Sequence, residues 1–436
     1  MNIRELALSL LLDSESADTY VNLSLSSHKA DSVSGEDRGF LTHLLYTAVE
    51  RRITYDYYIS ALAERSIDKI NLRTRCILRL GLCQILHTDS IPDFAAVNET
   101  VKLASNKGER AFVNGILRAA VRKKDSLPLP DKAKSFARYA SVYYSLPLPL
   151  VRHFMTFLSE GECEALFASF NRAPYTDLTV NTVKISVDEY EKLLKKEGYE
   201  PTRVDFSPLT LRIAASVNPR RLPGYDEGLF LVQDAASALC ATVLSADPCE
   251  EIIDVCSAPG GKSFALAILS SDKAKLHSFD LHESKMSLIS DGAKRLSLFS
   301  VNPEVRDGLQ PDESLFGKAD AILCDLPCSG LGVIAKKPDL RYRDLSTLST
   351  LPALQYELLS ASADYLKEGG RMVYSTCTLN RAENEEVVEK FLLDHPNFVR
   401  EDFSIGSLVS KDGMLTLYPH IHNTDGFFIS KLRKNK

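Results

Sequence analysis

The C-terminal half of the chain, residues 229–436, alternates short strand-like runs with longer helix-like runs. The strand-like runs are EIIDV, KLHSFDL, PEVR, DAILCDL, RMVYST and GFFISKL. Strands that alternate with helices in this way predict a parallel, doubly wound sheet. Such sheets bind their ligands at the carboxyl ends of the strands. The loops that follow these runs are therefore the candidate functional site.

The rest of the chain predicts two further regions. Residues 1–130 carry apolar residues at three- and four-residue spacing, which predicts an all-helical domain. The prolines of DSLPLPDK end this pattern. Residues 131–228 then combine linker helices with a small α/β module that contains the strand-like runs DLTVNTVKI and LTLRIAA. We therefore expect a multidomain protein with boundaries near residues 130 and 228.

Composition excludes several protein classes. A hydrophobic fraction of 44% and a charged fraction of 25% are typical of globular domains. No run approaches the roughly 18 apolar residues of a spanning helix, and the N-terminus lacks a signal-peptide pattern. The nine cysteines are an odd number and favour a reducing compartment, and none has zinc-site spacing. We expect a soluble, cytoplasmic, metal-free monomer without a membrane partner.

Positive charge is concentrated in one stretch, although the net charge of the chain is −6. Between Lys102 and Arg138 there are ten Lys or Arg and three Asp or Glu, a local charge of 10 − 3 = +7. Such a cluster is typical of surfaces that meet phosphates. It is equally typical of a solvated helical face. The sequence leaves both interpretations open.

The loop after EIIDV, with the sequence CSAPGGKS, has a glycine pair at a strand-to-helix turn. Such a turn lets backbone N–H groups approach a ligand closely. A phosphate-binding P-loop would need a glycine where Cys256 stands, and the dinucleotide fingerprint is also absent. The option that is left is a loop for S-adenosylmethionine, although a lone PGG turn could also be only a tight turn.

Two acidic strand ends favour the cofactor interpretation. Asp280 ends the next strand, where a carboxylate can accept hydrogen bonds from both ribose hydroxyls. Asp307 follows the third strand and is placed for the adenine amine. The glycine turn and two carboxylates in register together predict an S-adenosylmethionine site.

Cys328 and Cys377 stand in the turns after the fourth and fifth strands and should face the same crevice. Carbon 5 of a pyrimidine is a poor nucleophile until a thiolate adds to carbon 6, so its methylation needs a thiol. Asp325 could offset charge at N3 of cytosine, and positive charge from Lys262 would favour a thiolate. Cys324, inside its strand, is expected to be structural.

The residues DVCSAPGGKS, DLPCSGLGV, KKPDLRYR, YSTCTLNRAENEEVV and DGFFISKL strongly resemble the NOL1/NOP2/Sun family of RNA 5-methylcytosine methyltransferases. The helical N-terminus resembles the antitermination factor NusB. The resemblance implies a NusB-like RNA-binding domain (1–130), a small α/β RNA-binding module (131–228) and a Rossmann-like class I methyltransferase sheet (229–436). It also implies transfer of a methyl group from S-adenosylmethionine to carbon 5 of a cytidine in small-subunit (16S) ribosomal RNA, through a cysteine adduct at carbon 6.

The same resemblance implies roles for single residues. Cys377 matches the nucleophile, Cys328 the thiol that assists product release, and Asp325 the residue that holds the cytosine beside the donor. The residues that match the cofactor site are Cys256, Ser257, Ala258, Pro259, Gly260, Gly261, Lys262, Asp280, Asp307 and Asp325. Where the family often has an arginine in its small N-terminal strand, this chain has Thr179.

Three alternatives stay open. Cys377 could be a core thiol, or Cys328 could attack instead, as the Pro-Cys thiol does in DNA 5-methylcytosine enzymes. A non-catalytic RNA-binding regulator would belong to a different functional class. For any target inside a duplex, the base must be turned out of its stack. We expect the loop KKPDLRYR to hold phosphates beside it through Lys336, Lys337, Arg341 and Arg343.

Overall fold

A computed structural model describes residues 2–17, 33, 35–214 and 217–435 of the chain. The chain divides into two compact units. One comprises residues 1–171 together with 337–343, and the other comprises residues 172–336 together with 344–436.

The first unit is helical, as predicted. Its helices are α1 Ile3–Ala17, α2 Gly35–Glu50, α3 Arg52–Ala63, α4 Leu72–His87, α5 Asp93–Val101, α6 Lys107–Arg122, α7 Phe136–Tyr143, α8 Leu148–Phe154 and α9 Glu160–Ser169. The apolar faces of α1–α6 share one core. Helices α2 and α3 are divided at Arg51, and the short helix α5 lies between α4 and α6 in sequence.

Residues 337–343 lie in this helical unit although they come between segments of the other unit in sequence. The side chain of Arg341 is only 1% exposed. Its guanidinium donates hydrogen bonds to backbone carbonyls, including that of Glu50 at 2.8 Å. Lys336, in the other unit, pairs with the carboxylates of Asp234 and Asp425. The prediction that Arg341 holds a phosphate is therefore wrong, because its guanidinium is buried and its hydrogen bonds are made inside the protein. The Lys336 side chain is 30% exposed, so its phosphate contact stays a prediction.

The second unit begins with a four-stranded antiparallel sheet in the order β2–β3–β1–β4. Its strands are β1 Thr176–Val180, β2 Thr202–Val204, β3 Ser207–Ile213 and β4 Phe230–Val232. Helix α10, Val187–Lys196, packs Tyr190 and Leu194 into the core of this module. Ser186 and Glu189 start the helix with a capping box. The small α/β module is thus confirmed.

An eight-stranded mixed sheet forms the rest of the second unit, in the order β10–β14–β9–β8–β5–β6–β7 with β13 beside β14. Its strands are β5 Glu251–Asp254, β6 Lys275–Asp280, β7 Val301–Val305, β8 Ala319–Asp325, β9 Leu366–Thr376, β10 Phe398–Arg400, β13 Met414–Leu417 and β14 Phe427–Lys434. A separate hairpin pairs β11 Ser404–Ile405 with β12 Leu408–Val409. The helices are α11 Ala235–Leu244, α12 Gly261–Leu269, α13 Met286–Leu296, α14 Leu351–Ala363, α15 Glu385–Asp394 and α16 Pro419–His422.

Strands β5 to β9 are parallel, which confirms the doubly wound prediction for the centre of the sheet. The edge formed by β14 and its neighbours is antiparallel. The strand order reverses between β5 and β8, and a crevice forms at such a point, at the carboxyl ends of the strands. In the described part of the chain, no helix has the length and apolar character needed to cross a membrane.

Candidate active site

The loop after β5 turns sharply before α12. Ser257 anchors it, because its backbone N–H and its hydroxyl both donate to the carbonyl of Phe279, at 2.7 and 2.9 Å. The N–H of Gly260 then donates to the carbonyl of Ser257 at 2.7 Å. Gly260 has a φ of +108°, and a Cβ atom there would lie 2.4 Å from the ring of Phe264. Only glycine fits this turn without strain.

Three carboxylates end or follow the strands β5, β6 and β7. Asp254 accepts a hydrogen bond from the Ser263 hydroxyl at 2.6 Å through Oδ2, whereas its buried Oδ1 has no partner among the described residues. Burial raises the pKa of Asp254 to about 7. Asp280 is 7% exposed and accepts from the N–H of His282 at 3.0 Å. Asp307 lies half-buried after β7.

These features fit S-adenosylmethionine. The turn at Gly260 leaves the backbone of the loop open to close approach, and α12 begins at Gly261. The partnerless Oδ1 of Asp254 is a buried acceptor of the kind that a ligand satisfies. The carboxylate of Asp280 has the chemistry to accept from two adjacent hydroxyls. No group of three or more His, Cys, Asp or Glu in the described ranges could hold a metal ion.

Lys262, at the start of α12, forms an ion pair with Asp325, at the end of β8. The Lys262 Nζ lies 2.5 Å from Oδ2 of Asp325, and the side chains are 13% and 25% exposed. The Ser375 hydroxyl donates to Oδ1 of Asp325 at 2.9 Å. Burial lowers the pKa of Lys262, but Asp325 and the nearby sulfurs of Cys240 and Cys377 raise it by more. The pKa of Lys262 therefore lies above its ordinary value. Lys262 therefore stays cationic, with its charge balanced by Asp325.

The two cysteines meet at the ends of adjacent parallel strands. Because Asp325 of β8 is in register with Ser375 of β9, the turns that follow these strands lie side by side. The Sγ atoms of Cys328 and Cys377 are 3.2 Å apart. Their hydrogen bond, followed by burial, raises the pKa of Cys328 well above its ordinary value. Cys324 is buried within β8, as predicted for a structural thiol.

A buried carboxylate that sequence reasoning missed joins these two turns. Glu383, which is 0% exposed, accepts from the backbone N–H of Ser329 at 2.8 Å and from its hydroxyl at 2.5 Å. The side-chain amide of Asn380 donates to it at 3.0 Å. Gln355 also donates to it at 3.0 Å and to the carbonyl of Pro327 at 2.9 Å. Glu383 stands in the motif YSTCTLNRAENEEVV, but the resemblance assigned it no role, and a glutamate just before a helix is ordinarily expected to be exposed.

Two sequence features that bear on RNA contacts differ in burial. Thr179 is buried and its hydroxyl donates to Oε1 of Gln233 at 3.2 Å, so it does not present a group to RNA. The ten basic residues between Lys102 and Arg138 are all exposed. Some of them form ion pairs, such as Lys132 with Glu164 at 2.5 Å. Exposure agrees with both interpretations of this stretch, so the choice between them stays open.

Three family models match the chain. The model described as 16S rRNA methyltransferase RsmB/F matches residues 241–433, and the NusB family model matches residues 1–122. The ferredoxin-like domain model of RsmF/B-like methyltransferases matches residues 149–219. The first match falls on the mixed sheet and the second on the helical unit. The third covers α8 and α9 of the helical unit and strands β1 to β3 of the small α/β module.

Individual proteins are similar along the whole chain. The probable ribosomal RNA small subunit methyltransferase B of Synechocystis sp. is 36% identical, covering 100% of both chains, and that of Bacillus subtilis is 33% identical over 99% of both. The crystal structure of PH0851 has a TM-score of 0.79 and 27% identity, covering 99% of this chain and 98% of the other. NSun6 from Pyrococcus horikoshii with SFG has a TM-score of 0.58 and 25% identity, covering 66% of this chain and 98% of the other.

Proposed function

Because the chain belongs to the ribosomal RNA small subunit methyltransferase B family, and is therefore a methyltransferase, we propose that it methylates carbon 5 of a cytidine in 16S ribosomal RNA. The reaction would pass through a covalent adduct between Cys377 and carbon 6. The observation that supports this most is the 3.2 Å separation of the Cys328 and Cys377 sulfurs. Methyl transfer to an exocyclic amine or a ribose hydroxyl would need neither thiol.

The methyl donor would be S-adenosylmethionine, held by residues 256–262 together with Asp280 and Asp307. When bound, it supplies a methyl group that its sulfonium sulfur makes electrophilic. The backbone of the turn at Gly260 would lie against the donor. Asp280 would accept hydrogen bonds from the ribose hydroxyls, and Asp307 would accept one from the adenine amine.

Cys377 would act as the nucleophile. Its thiolate would form the bond to carbon 6, and the electron pair of the 5,6 double bond would move to carbon 5. Carbon 5 would then bond to the methyl group, while the electron pair of the broken methyl–sulfur bond stays with the donor. The cationic Lys262 favours the thiolate, since the two groups attract each other. Asp325, beside Lys262, would hold the base near N3.

Cys328 would assist release of the product. The carbon 5 proton passes to water, and its electron pair re-forms the 5,6 double bond. As that double bond forms, the bond from carbon 6 to sulfur breaks, and its electron pair returns to Cys377. A raised pKa keeps Cys328 protonated near neutral pH, so its S–H can donate to the departing sulfur.

Transfer of labelled methyl from S-adenosylmethionine to a small-subunit ribosomal RNA transcript tests the activity. With RNA that contains 5-fluorocytidine, Cys377→Ser should form no covalent adduct. With unmodified RNA, Cys328→Ala should accumulate a protein–RNA complex that survives denaturing gels. Full adduct formation by Cys377→Ser would reassign the nucleophile to Cys328.

The other regions would lengthen the RNA contact and select the site. We propose that residues 1–130 and 131–228 act as RNA-binding domains and that residues 229–436 carry the chemistry. In the helical domain, the exposed basic residues between Lys102 and Arg138 are the candidate phosphate contacts. Reversing the charge of Lys123 and Lys124 should weaken RNA binding and reduce its salt dependence, with donor affinity unchanged.

A further inference from the structure

Glu383 bonds to both of the turns that carry the active-site cysteines. We propose that Glu383 is a positioning residue for product release, which holds the turn of Cys328 so that its thiol meets the sulfur of Cys377. This inference rests on the proposed covalent mechanism and adds a residue whose effect is exerted through Cys328.

The carboxylate controls the backbone on both sides of Cys328. On one side, Ser329 donates both its backbone N–H and its hydroxyl to Glu383. On the other side, the Gln355 amide donates to Glu383 and to the carbonyl of Pro327. The residues immediately before and after Cys328 are thus fixed by one buried network, which leaves its backbone little freedom.

The same carboxylate also reaches the turn of Cys377. Asn380 donates to its Oε1 at 3.0 Å, and the Ser329 and Thr378 hydroxyls are 2.7 Å apart. Because Thr378 directly follows Cys377, the two turns share hydrogen bonds on either side of the paired sulfurs. Loss of the carboxylate should therefore change the separation of the sulfurs before it changes any other part of the site.

The negative charge of Glu383 favours the protonated thiol of Cys328. Only the protonated thiol can donate a hydrogen bond. The donors to Glu383 are a backbone N–H, a hydroxyl and two amides, all of them neutral. The acidic groups that act on Cys328 are Cys377, Glu383 and Asp325, and each raises its pKa. The phenol of Tyr374 lies nearby and donates to the carbonyl of Glu383, while Lys262 is paired with Asp325. Cys328 is therefore held as a thiol.

Glu383→Gln tests this role, since it keeps the length of the side chain but replaces one acceptor oxygen with an NH₂ group. We expect release of the methylated RNA to slow about tenfold to hundredfold, the effect of losing a charge-assisted hydrogen bond, so that the covalent complex accumulates. Donor affinity, measured by calorimetry, should not change. Glu386→Gln, an exposed glutamate three residues on, is the matched control and should behave as wild type.

The double variant separates positioning from a general loss of structure. In a Cys328→Ala background, Glu383→Gln should cause no further slowing, because the residue through which it acts is already gone. Slowing that adds fully to that of Cys328→Ala would overturn the proposal, as would release at the wild-type rate by Glu383→Gln.

Should Glu383→Gln fail to fold, Ser329→Ala removes only the hydroxyl donor and should slow release severalfold. Release at the wild-type rate by Ser329→Ala would then contradict the role of Glu383. If wild-type protein forms no adduct with 5-fluorocytidine RNA, the proposed function itself fails. A wild-type adduct at Cys377 with unaffected release in these variants removes only the role of Glu383.

Discussion

Replacement of Arg341 by methionine should destabilise the helical unit rather than weaken RNA binding. The guanidinium is 1% exposed and is surrounded by neutral acceptors. These acceptors are the carbonyls of Pro338, Glu50, Ser145 and Phe170 and the Oδ1 atom of Asn171. Methionine fills a similar volume but donates to none of them.

The size of the effect follows from the two shortest bonds to atoms outside the 337–343 segment, 2.8 Å to Glu50 and 3.1 Å to Asn171. Each hydrogen bond from a charged donor contributes about 1.5–3 kcal/mol, so the two together contribute about 3–6 kcal/mol. Burial of the cation costs free energy, as the lowered pKa of Arg341 indicates. The methionine variant no longer has this burial cost, which offsets about 1–2 kcal/mol of the lost hydrogen-bond energy. The net loss in the free energy of unfolding is then about 2–4 kcal/mol.

Urea unfolding of the full chain measures this loss, and hydrogen exchange of peptides from α2 and α7 assigns it to the helical unit. Lys337→Met, at an exposed lysine of the same segment, is the control and should leave stability unchanged. Arg341→Lys should recover only part of the loss, because an ammonium cannot reach acceptors spread around a planar guanidinium. Wild-type stability of Arg341→Met combined with weaker RNA binding would refute the reasoning.

Three further substitutions test the donor side of the crevice. Lys262→Met leaves Asp325 without its cation; it should cost about 1–3 kcal/mol of stability and lower methyl transfer at least about a hundredfold, and near-normal transfer would argue against a role for the pair. Asp254 has a folded pKa of about 7, above its unfolded value, so its contribution to stability is present at low pH and is lost as pH rises to neutrality. Asp254→Asn should reduce this loss of stability with rising pH, measured as the midpoint of urea unfolding between about pH 5 and 8. An unchanged pH dependence of the midpoint would show that another group causes it. Gly260→Ala puts a Cβ atom 2.4 Å from the ring of Phe264 at a φ of +108°; it should cost about 1–3 kcal/mol and weaken donor binding in calorimetry, whereas unchanged affinity would mean that the turn tolerates a side chain.

Much of the fold could be predicted because its strands are short apolar runs that alternate with longer amphipathic helices. The centre of the mixed sheet, β5 to β9, follows from that alternation. The apolar spacing of LPALQYELLSASADYLKEG continues past the end of α14 at Ala363 into β9, which begins at Leu366. An apolar run alone does not distinguish the end of a helix from the start of a strand. The antiparallel edge around β14 depends on pairing between distant strands, which periodicity does not reveal.

Site residues that stand in a local motif at the end of one strand could be predicted. Site residues whose role depends on contacts between turns that are distant in sequence could not. Cys328, Cys377 and Lys262 stand in local motifs, and the structure brings them together. Glu383 was missed because its partner Ser329 is 54 residues away in sequence. Arg341 was misjudged for the same physical reason, since its partner Glu50 lies 291 residues away and local composition does not reveal burial.

Mass spectrometry of the peptide trapped on RNA that contains 5-fluorocytidine gives the sharpest test of covalent catalysis by Cys377. The protein is incubated with S-adenosylmethionine and this RNA, digested, and the modified cysteine is identified. We expect the nucleotide on Cys377, and 5-methylcytidine as the product from unmodified RNA. A nucleotide on Cys328, or methylated RNA without any adduct, would contradict the mechanism.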